Sequence, residues 1–249
     1  MSKLCAKFVI CSYNRPALIK KKTLLTLARA NIPAESIFIF AGADSDPDFA
    51  RYATLEADGY HVIRAPVGLA NARNMVLDCF PPGEELIFMD DDVTNFVAVS
   101  LFDLATEARA AFDLCKREGC SLWGAYPVPC KLWMAEHALK GALFIQGCFF
   151  GLINPGAAYR HGLVFKEDWE RTLFFWKKEG AVIRFENFAP IQKHRGNPGG
   201  LTSTRTLEAE SLEATSLLLE YGDAITTRVR KGWPELYFAK KFVKERLVI

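Results

Sequence analysis

Short apolar runs and helically spaced apolar positions alternate along the first 95 residues of the chain. Runs rich in strand-forming residues predict four strands, over 7–11, 37–40, 60–65 and 85–89. Between them, the spacing of apolar residues predicts helices over 17–31 and 69–80. Strands separated by helices of this length are typical of βαβ units. The sequence therefore predicts an α/β fold of Rossmann-like type, with a mostly parallel central sheet flanked by helices.

The pattern becomes less regular after residue 95. Apolar spacing predicts helices over 101–118, 168–179 and 206–230, and strand-like pieces over 121–127, 142–153 and 181–188. A polar, glycine-rich loop follows at 192–200. Since no repeat, low-complexity segment or linker interrupts the chain, we expect a single domain over residues 1–249 with an elaborated C-terminal half.

Composition and charge exclude several classes of protein. The 249 residues are 50% hydrophobic and 24% charged, which excludes a disordered chain, a collagen-like chain and a disulfide miniprotein. The formal net charge is only +2, so attraction to a polyanion must come from a local patch. The seven cysteines include no Cys-x-x-Cys pair, as expected for free thiols in a reducing compartment. Because no stretch is apolar enough to span a membrane, we expect a cytoplasmic protein without membrane insertion.

Three consecutive carboxylates, Asp90, Asp91 and Asp92, end the fourth predicted strand. Side chains alternate along a strand, so Asp90 and Asp92 can face one side while Asp91 faces the other. Two unit charges about 4 Å apart repel by roughly 4 kcal/mol at an effective dielectric near 20, so the pair attracts a cation. Oxygen ligands suit Mg²⁺ or Mn²⁺. A solvated acidic turn or a helix N-cap is the alternative, and the apolar strand before the three acids favours the metal.

Polar residues follow the other predicted strands at the same edge of the sheet. The turn 12–15 ends the first strand and Asp44 follows the second. Ligands of open α/β sheets bind in the crevice beyond the carboxyl ends of the strands. Gly68 and Arg73 lie in the first turns of a helix, where backbone N–H groups and a guanidinium favour phosphate. An ion pair explains Arg73 equally well, and an Asx-turn is the commoner use of a residue such as Asp44.

Together these motifs resemble the GT-A fold of nucleotide-sugar glycosyltransferases, most closely the family 2-like enzymes. The matching elements lie in order over residues 5–95, and they are Ser12-Tyr13-Asn14-Arg15, the loop around Asp44, Gly68 with Ala72-Arg73-Asn74, and Asp90-Asp91-Asp92. The resemblance implies that the turn Ser12 to Arg15 and Asp44 hold the nucleotide base, and that Arg73 holds the donor. It further implies that Asp90 and Asp91 contact the ribose, and that Asp90 and Asp92 bind Mn²⁺ or Mg²⁺.

The same resemblance implies a UDP-sugar donor and divides the chain by function. Residues 1–95 correspond to the nucleotide-sugar-binding half and residues 96–249 to the acceptor-binding half. In the second half, family 2-like enzymes carry an acidic pair that opens a helix, here Glu167-Asp168. The resemblance implies that Asp168 takes the proton of an acceptor hydroxyl, which inverts the configuration of the sugar. An acidic helix start favoured by the helix dipole explains this pair equally well.

Fewer residues of the second half match the family's acceptor side. The resemblance implies acceptor contacts from two segments, which contribute Gln146 and Gly147 in one and Gln192, Arg195, Gly199 and Gly200 in the other. A glycine at position 196 replaces the tryptophan of the family's Gln-x-x-Arg-Trp element. His194 is implied as an additional metal ligand, although a lone histidine in a basic loop is more often a solvent-facing residue or a phosphate contact.

The compact chain and its Gly-Gly loop resemble a narrower group, the TET-associated glycosyltransferases of phages, and the base J glucosyltransferases are similar. This resemblance implies an acceptor in DNA, 5-hydroxymethylcytosine or another hydroxymethylated pyrimidine, and a location in the host cytoplasm. Residues 228–249 carry seven Lys or Arg against two Glu, interleaved with aromatic residues, and 20–22 is a second basic run. Such a segment suits a phosphate backbone and a displaced base. Aromatic residues packed on the core, with lysines in water, explain it equally well.

Other functions stay open at this point. Among glycosyltransferases, the alternative acceptor is a polysaccharide, a lipid or a protein. A nucleotidyltransferase also needs paired carboxylates, but it would usually show a glycine-rich, lysine-bearing loop after the first strand, and residues 12–16 contain no glycine. A non-catalytic nucleic-acid-binding or protein-binding module would keep the fold without the chemistry, and the Asp90/Asp92 pair together with Asp168 argues against that loss.

Overall fold

A computed structural model describes residues 6–192, 205–242 and 244–249 of the protein. The strands in this part of the chain are β1 (Lys7–Tyr13), β2 (Ile37–Gly42), β3 (His61–Arg64), β4 (Glu85–Met89), β5 (Asn95–Ala98), β6 (Leu122–Gly124), β7 (Ala138–Gly141), β8 (Phe149–Ile153), β9 (Val182–Phe185), β10 (Phe188–Ile191), β11 (Ile225–Arg230), β12 (Trp233–Phe238) and β13 (Lys244–Leu247). The helices are α1 (Pro16–Ile19), α2 (Leu25–Arg29), α3 (Asp46–Ala53), α4 (Leu69–Cys79), α5 (Leu104–Glu118), α6 (Glu167–Glu179) and α7 (Leu207–Tyr221). A π-helical turn, Lys20–Leu24, joins α1 to α2.

Nine strands form the central sheet, in the spatial order β13-β7-β9-β6-β8-β4-β1-β2-β3. The first four strands are parallel neighbours, as the sequence predicts. Strands β7 and β8 run against the direction of the other seven. The sheet is therefore mixed but mostly parallel, and the ends of β1, β2 and β4 share one edge.

Helices cover both faces of this sheet. Apolar side chains of α1, α2, α3 and α5 pack on one face, and those of α4 and α6 pack on the other. A third cluster joins α6, α7 and the β11–β12 hairpin, with Trp169, Leu217 and Leu236 at its centre. Within the sheet, a Cβ on Gly151 would lie 2.0 Å from Nε1 of Trp123, so only glycine fits beneath that indole. The third cluster attaches α7 and the hairpin to α6.

The predicted helix over 206–230 is wrong beyond Tyr221. The chain instead forms the β11–β12 hairpin, whose connecting residues Lys231 and Gly232 have φ values of 51° and 83°. Two successive positive φ values are the geometry of a type I′ hairpin turn. The β-branched residues of β11 favour a strand, so the turn and the strand composition outweigh the apolar spacing that predicts a helix.

Other differences concern short elements, among them α3 in the first half, an eight-residue helix that the sequence analysis missed. The strand predicted over 142–153 begins only at β8, and the one over 181–188 divides into β9 and β10. The sequence analysis missed β5, β7 and β13, all strands of four residues. Among the described residues, no helix is both long and apolar enough to span a membrane. The six cysteines in the described part of the chain are free thiols.

Candidate active site

The turn after β1 is held from behind by a buried carboxylate. Asp91 is 5% exposed and accepts hydrogen bonds from Ser12 Oγ at 2.6 Å and from Arg15 Nη1 at 3.1 Å. The hydroxyl of Tyr52 accepts the backbone N–H of Arg15 at 2.6 Å and lies 2.7 Å from Ser12 Oγ. The structure therefore places Ser12 and Asp91 inside the protein, where they support the turn, although the sequence resemblance implied that they contact the nucleotide.

Tyr13, Asn14 and Asp44 come together on the exposed side of the same edge. The Tyr13 hydroxyl donates to Asp44, and Asn14 Nδ2 donates to Asp44 Oδ2 at 2.8 Å. Asn14 has a φ of 51°, a left-handed conformation that asparagine tolerates better than most residues. The sequence predicted a shared crevice for these residues, and the structure brings them together across about thirty positions of chain.

Asp90 and Asp92 lie on the turn that follows β4. The backbone N–H of Asp90 donates to the carbonyl of Cys148 at 2.9 Å, and its side chain is 36% exposed. Burial raises the pKa of Asp90 to about 7; the Arg73 guanidinium opposes this rise, and the carboxylates of Asp92 and Asp91 add to it. A carboxyl group in this setting becomes easier to ionise when a cation is close. This pair of oxygen donors therefore fits Mn²⁺ or Mg²⁺.

Two carboxylates do not complete the shell of a divalent cation. In the described residues, no group of three His, Cys, Asp or Glu side chains is placed to hold a metal ion. Mg²⁺ and related cations commonly use one or two carboxylates and take their other ligands from water and substrate phosphates. The arrangement thus fits a cation that binds together with a phosphorylated ligand.

The π-helical turn before α2 positions residues 90–93, which carry the candidate metal ligands and are called the metal-site turn below. Thr23 Oγ1 donates to the carbonyl of Asp90 at 2.7 Å and accepts the backbone N–H of Val93 at 3.1 Å. Thr26 Oγ1 lies 3.2 Å from the carbonyl of Val93. π-Helical turns are rare and occur often at functional sites. Here the turn carries Thr23 against both ends of the segment that contains Asp90 and Asp92.

Arg73 connects α4 to the start of α6. It is 3% exposed, forms an ion pair with Glu167, and donates from Nη2 to the carbonyl of Gly147 at 3.0 Å. The same nitrogen lies 3.9 Å from Asp90 Oδ1. The structure thus realises the ion pair that was the alternative to donor binding for Arg73, in a buried rather than a surface position. Gly68, with a φ of 102°, begins the helix that carries this arginine.

Glu167 is the shared partner of two buried arginines. Arg171, which is fully buried, donates from Nη1 to Glu167 at 2.9 Å and stacks 3.6 Å above the ring of Phe150. Burial alone would raise the pKa of Glu167, but Arg73 and Arg171 outweigh it and hold the pKa well below its usual range. Glu167, which the sequence pairs with Asp168 as a catalytic residue, balances buried positive charge in the structure.

Asp168 is half-buried at the first turn of α6 and is not among the partners of Arg73. Burial raises its pKa to about 6; the neighbouring Glu167 carboxylate adds to the rise and Arg171 opposes it. One carboxylate oxygen accepts the backbone N–H of Trp169 at 2.8 Å. Of the adjacent acids, Asp168 is the one whose pKa and exposure suit proton transfer near neutral pH.

Gly147 lies between the turn that carries Asp90 and the acidic start of α6. A Cβ at this position would be 2.6 Å from Glu167 Oε1 and 3.6 Å from the Cβ of Asp168. The next residue, Cys148, accepts the backbone N–H of Asp90. The segment 146–148 thus lies between the metal-site turn and the start of α6. Within it, Gln146 is half-buried. The sequence predicted acceptor contacts here, and the structure places the segment at the centre of the site.

Gln192 is the last described residue before the predicted acceptor loop. Its neighbour Ile191 accepts the backbone N–H of Thr94 at 2.9 Å, so this strand end reaches the turn that carries Asp92. The remaining predicted residues of that loop, His194, Arg195, Gly199 and Gly200, lie outside the described residues.

Sequence analysis missed the residues that fix the start of α6. Glu213, on α7, accepts the backbone N–H groups of Val164, Phe165 and Lys166 at 3.0, 2.7 and 2.8 Å. Glu210, one turn earlier, accepts from Lys166 Nζ at 2.7 Å. Asn74 exchanges two hydrogen bonds with the backbone of His161, at 2.9 and 2.8 Å. Asn74 belongs to a recognised motif, whereas Glu210 and Glu213 carry no local signal that separates them from surface glutamates.

Several solved protein structures are similar to this chain in fold. No protein-family model and no curated protein sequence matches the chain. Glucosyl-3-phosphoglycerate synthase from Mycobacterium tuberculosis, solved with Mn²⁺, UDP-glucose and glycerol 3-phosphate, matches with a TM-score of 0.54 at 12% identity over 98% of this chain and 89% of that one. S. aureus TarS 1-349, solved with UDP, matches with a TM-score of 0.51 at 17% identity over 85% of this chain and 65% of that one.

A mannosyltransferase from Pyrobaculum calidifontis, solved with GDP-Man and Mn²⁺, also matches, with a TM-score of 0.41 at 15% identity over 61% of this chain. The chain spans 45% of the length of that protein and 59 to 65% of the length of TarS 1-349. At these identities the matches concern the fold alone. A mostly parallel sheet flanked by helices, matched to the M. tuberculosis synthase over 98% of this chain, is the GT-A fold that the sequence motifs predict.

Proposed function

We propose that the protein is a metal-dependent glycosyltransferase that moves a sugar from a UDP-sugar to a hydroxyl acceptor. The observation that carries the proposal is the convergence of three groups at one edge of the sheet. These are the Tyr13–Asn14–Asp44 group beyond β1 and β2, the Asp90/Asp92 pair beyond β4, and Asp168, which lies beside Gly147, whose carbonyl is bound by the arginine next to Asp90. Each is a motif that the sequence predicts from a different segment, and a solvated acidic turn would explain only one of them.

The first two groups account for donor binding. Asp44, Tyr13 and Asn14 present a carboxylate, a hydroxyl and an amide that suit the polar edge of a nucleotide base. Asp90 and Asp92 would hold Mn²⁺ or Mg²⁺, which neutralises the diphosphate of the donor and of the leaving UDP. Arg73, held 3.9 Å from Asp90, keeps a positive charge beside this turn.

Asp168 accounts for the transfer step. Its carboxylate would take the proton of the acceptor hydroxyl as that oxygen bonds to the anomeric carbon and the bond from this carbon to the UDP oxygen breaks. Attack from the face opposite the leaving group inverts the configuration of the sugar. A pKa raised to about 6 makes the carboxylate a stronger base than an exposed aspartate and leaves it mostly ionised at pH 7.

For the acceptor we propose a hydroxymethylated pyrimidine in DNA, with 5-hydroxymethylcytosine first. This part of the proposal is supported by the sequence resemblance to phage DNA-modifying enzymes, and it implies the cytoplasm of an infected host as the location. A second acceptor class has support from a specific observation. The M. tuberculosis synthase with a similar fold was solved with glycerol 3-phosphate and with phosphoglyceric acid, which are small phosphorylated hydroxyl compounds.

Mass spectrometry of nucleosides tests the whole proposal. DNA that contains 5-hydroxymethylcytosine is incubated with the protein, Mn²⁺ or Mg²⁺ and a panel of UDP-sugars, then digested. We expect a hexose or pentose mass gain that is absent with Asp92→Ala and retained with Asp113→Ala, a matched change at an exposed position of α5.

The outcomes distinguish a wrong acceptor from a wrong donor. No gain with any donor, while calorimetry detects metal-dependent UDP binding, moves the acceptor to small phosphorylated compounds, glycans, lipids or proteins. No UDP binding with either metal would refute the glycosyltransferase itself.

A further inference from the structure

One face of the β11–β12 hairpin is in solvent, whereas the other packs on the protein at its base and is exposed near the turn, where Val229 is 78% exposed. In its register Thr226 lies opposite Tyr237, Arg228 opposite Glu235, and Arg230 opposite Trp233. Side chains alternate along strands, so these six residues share a face, which we call the arginine face. The opposite face contains Ile225 and Leu236, both buried in the cluster with α6 and α7. The arginine face is therefore the solvent side of the hairpin.

The arginine face combines guanidinium groups with aromatic rings. Arg228 and Arg230 are exposed, and Arg228 stacks over the ring of Tyr237 at 5.4 Å. Trp233 is half-buried and Tyr237 is 38% exposed. The single acid on this face, Glu235, lies 3.8 Å from Arg230 and accepts the Tyr237 hydroxyl at 2.6 Å. The exposed Lys231 adds a third positive charge at the turn.

The hairpin lies along α6, and its turn is at the end that carries Asp168. Next to the turn, the carbonyl of Pro234 accepts a hydrogen bond from Lys166 Nζ at 3.0 Å, and Lys166 directly precedes Glu167. Further along β12, the ring of Phe238 contacts both Trp169 and Trp176 of α6. Phe242, beyond the strand, contacts only the later tryptophan, Trp176. The charged turn is thus adjacent to the start of α6 rather than to its far end.

We propose that the arginine face and Lys231 bind the backbone of the DNA acceptor and bring it to Asp168. This inference rests on the proposed function and names the element that selects its acceptor. Arginines bind phosphate through paired N–H groups, and aromatic rings between them stack on bases, a combination used for single-stranded and displaced nucleotides. DNA offers both kinds of group in one chain, phosphates for the cations and bases for the rings, and it is the acceptor of the proposed function. A glycan or a lipid surface as the occupant would leave the parent protein without DNA affinity, which is an outcome of the test below.

Three proteins compared by fluorescence anisotropy with a labelled DNA oligonucleotide test the proposal. The test variant is Arg228→Thr/Arg230→Thr/Lys231→Asn, which keeps strand formers in β11 and an Asn-Gly type I′ turn. The matched control is Arg117→Gln/Lys177→Gln/Lys178→Gln, three exposed cations of which two lie at the far end of α6. At about 0.1 M salt we expect at least a tenfold loss of affinity in the test variant only, and a log–log salt slope shallower by up to about 3.

A second variant separates DNA from other polyanions. Tyr237→Ser removes a stacking ring and keeps every positive charge, so we expect DNA affinity to fall about fivefold or more, with inorganic polyphosphate affinity unchanged. Equal losses for both probes, or no loss for either, would make the face a general polyanion site and overturn its assignment to DNA. Absence of DNA binding by the parent protein, or equal affinity in the test variant, would also overturn it.

The proposed function is scored separately on the same proteins, by UDP calorimetry and by sugar transfer. DNA binding that depends on the hairpin, without sugar transfer to any base, would refute DNA as the acceptor of the proposed function and leave the binding face intact. Sugar transfer to DNA by the test variant at the efficiency of the parent protein would support the function and refute the role of the arginine face.

Discussion

Two adjacent carboxylates at the start of α6 have opposite environments. Glu167 contacts Arg73 and Arg171 and is held ionised, with a lowered pKa. Asp168 forms an ion pair with neither arginine, and burial raises its pKa to about 6 although Arg171 opposes the rise. Adjacent acids whose environments move their pKa values apart commonly divide structural and catalytic roles. The two substitutions below therefore have different expected effects.

Asp168→Asn removes the proposed base and little else. We expect it to keep metal-dependent UDP affinity, to lose at least about a hundredfold in transfer rate, and to change the free energy of unfolding by less than about 1 kcal/mol. In the parent protein, the transfer rate at saturating donor falls as pH decreases through about 6, because the base must be unprotonated. Single-turnover rates from pH 5 to 8 measure both effects. A transfer rate near that of the parent protein would exclude Asp168 as the base.

Glu167→Gln removes the charge that balances two buried guanidinium groups. Breaking a buried ion pair by removing one partner costs about 3 to 5 kcal/mol, since the remaining charge stays unpaired. We expect a loss of this size in the free energy of unfolding, measured by urea denaturation, against the small change for Asp168→Asn. Equal stability of the two variants would contradict the division of roles.

At the residue scale, motifs predicted which side chains meet but not which way they face. Asp90-Asp91-Asp92 was recognisable because three acids follow an apolar strand, but they lie in a turn beyond the end of β4, where Asp91 and Asp92 are both buried. Burial depends on partners distant in sequence. Arg73 is buried because Glu167, more than ninety residues later, lies against it, and no local pattern contains that contact.

At the scale of elements, the π-helical turn is the feature that the local sequence does not predict. It lies between α1 and α2, within a stretch whose apolar spacing predicts one continuous helix. Its role follows from Thr23, whose hydroxyl contacts both ends of the metal-site turn. The turn therefore couples the helix after β1 to the carboxylates after β4.

Thr23→Val tests this coupling with a side chain of nearly the same shape. The buried N–H of Val93 loses its acceptor, which costs about 1 to 3 kcal/mol of folding stability. We expect weaker Mn²⁺ binding, so that the Mn²⁺ concentration needed for half-maximal UDP binding rises several-fold. Thr26→Val is the matched control with a smaller effect, because the Thr26 hydroxyl lies 3.0 Å from the carbonyl of Lys22 and 3.2 Å from that of Val93 but accepts no backbone N–H from the described residues. Identical metal curves for parent and Thr23→Val would disconnect the π-helical turn from the metal site.

The acceptor side depends on α7, where sequence reasoning was weakest. Apolar spacing extended this helix to residue 230, because Tyr221, Ile225 and Val229 follow one another at intervals of four residues, as on one face of a helix. Gly222, the C-cap of α7, was present in the sequence and would have ended the helix at Tyr221. Glu213 could not have been found, since its function appears only when α7 packs beside the loop before α6.

Glu213→Ala leaves three backbone N–H groups without their acceptor. A carboxylate that accepts several backbone N–H bonds fixes a loop firmly, so we expect the start of α6 to become mobile. The expected result is a transfer rate lowered tenfold or more with UDP affinity unchanged. Glu208→Ala, on the same helix at an exposed position, is the control. Loss of UDP affinity in parallel would show that the substitution damages the whole fold.

At the scale of the whole molecule, three apolar clusters hold different parts of the site in place. Two of them cover the faces of the central sheet and fix the turns after β1, β2 and β4. The third, smaller cluster fixes α7 and the hairpin to α6. Regions with fewer buried contacts open locally at lower free energy than the core of a sheet. The donor side and the acceptor side should therefore differ in local stability.

A pair of core truncations tests that difference. Leu236→Ala empties part of the third cluster, and Leu152→Ala, at a fully buried site in β8, empties part of the sheet core. Each truncation removes about 2 to 5 kcal/mol from the cluster it belongs to. By hydrogen exchange, we expect Leu236→Ala to lower amide protection in α7 and the hairpin alone and to weaken DNA binding, with UDP affinity kept. Leu152→Ala should lower protection throughout and reduce both affinities. If Leu236→Ala also lowered protection in β1 and β4, the two sides would form one cooperative unit, and the acceptor side could not adjust independently of the donor side.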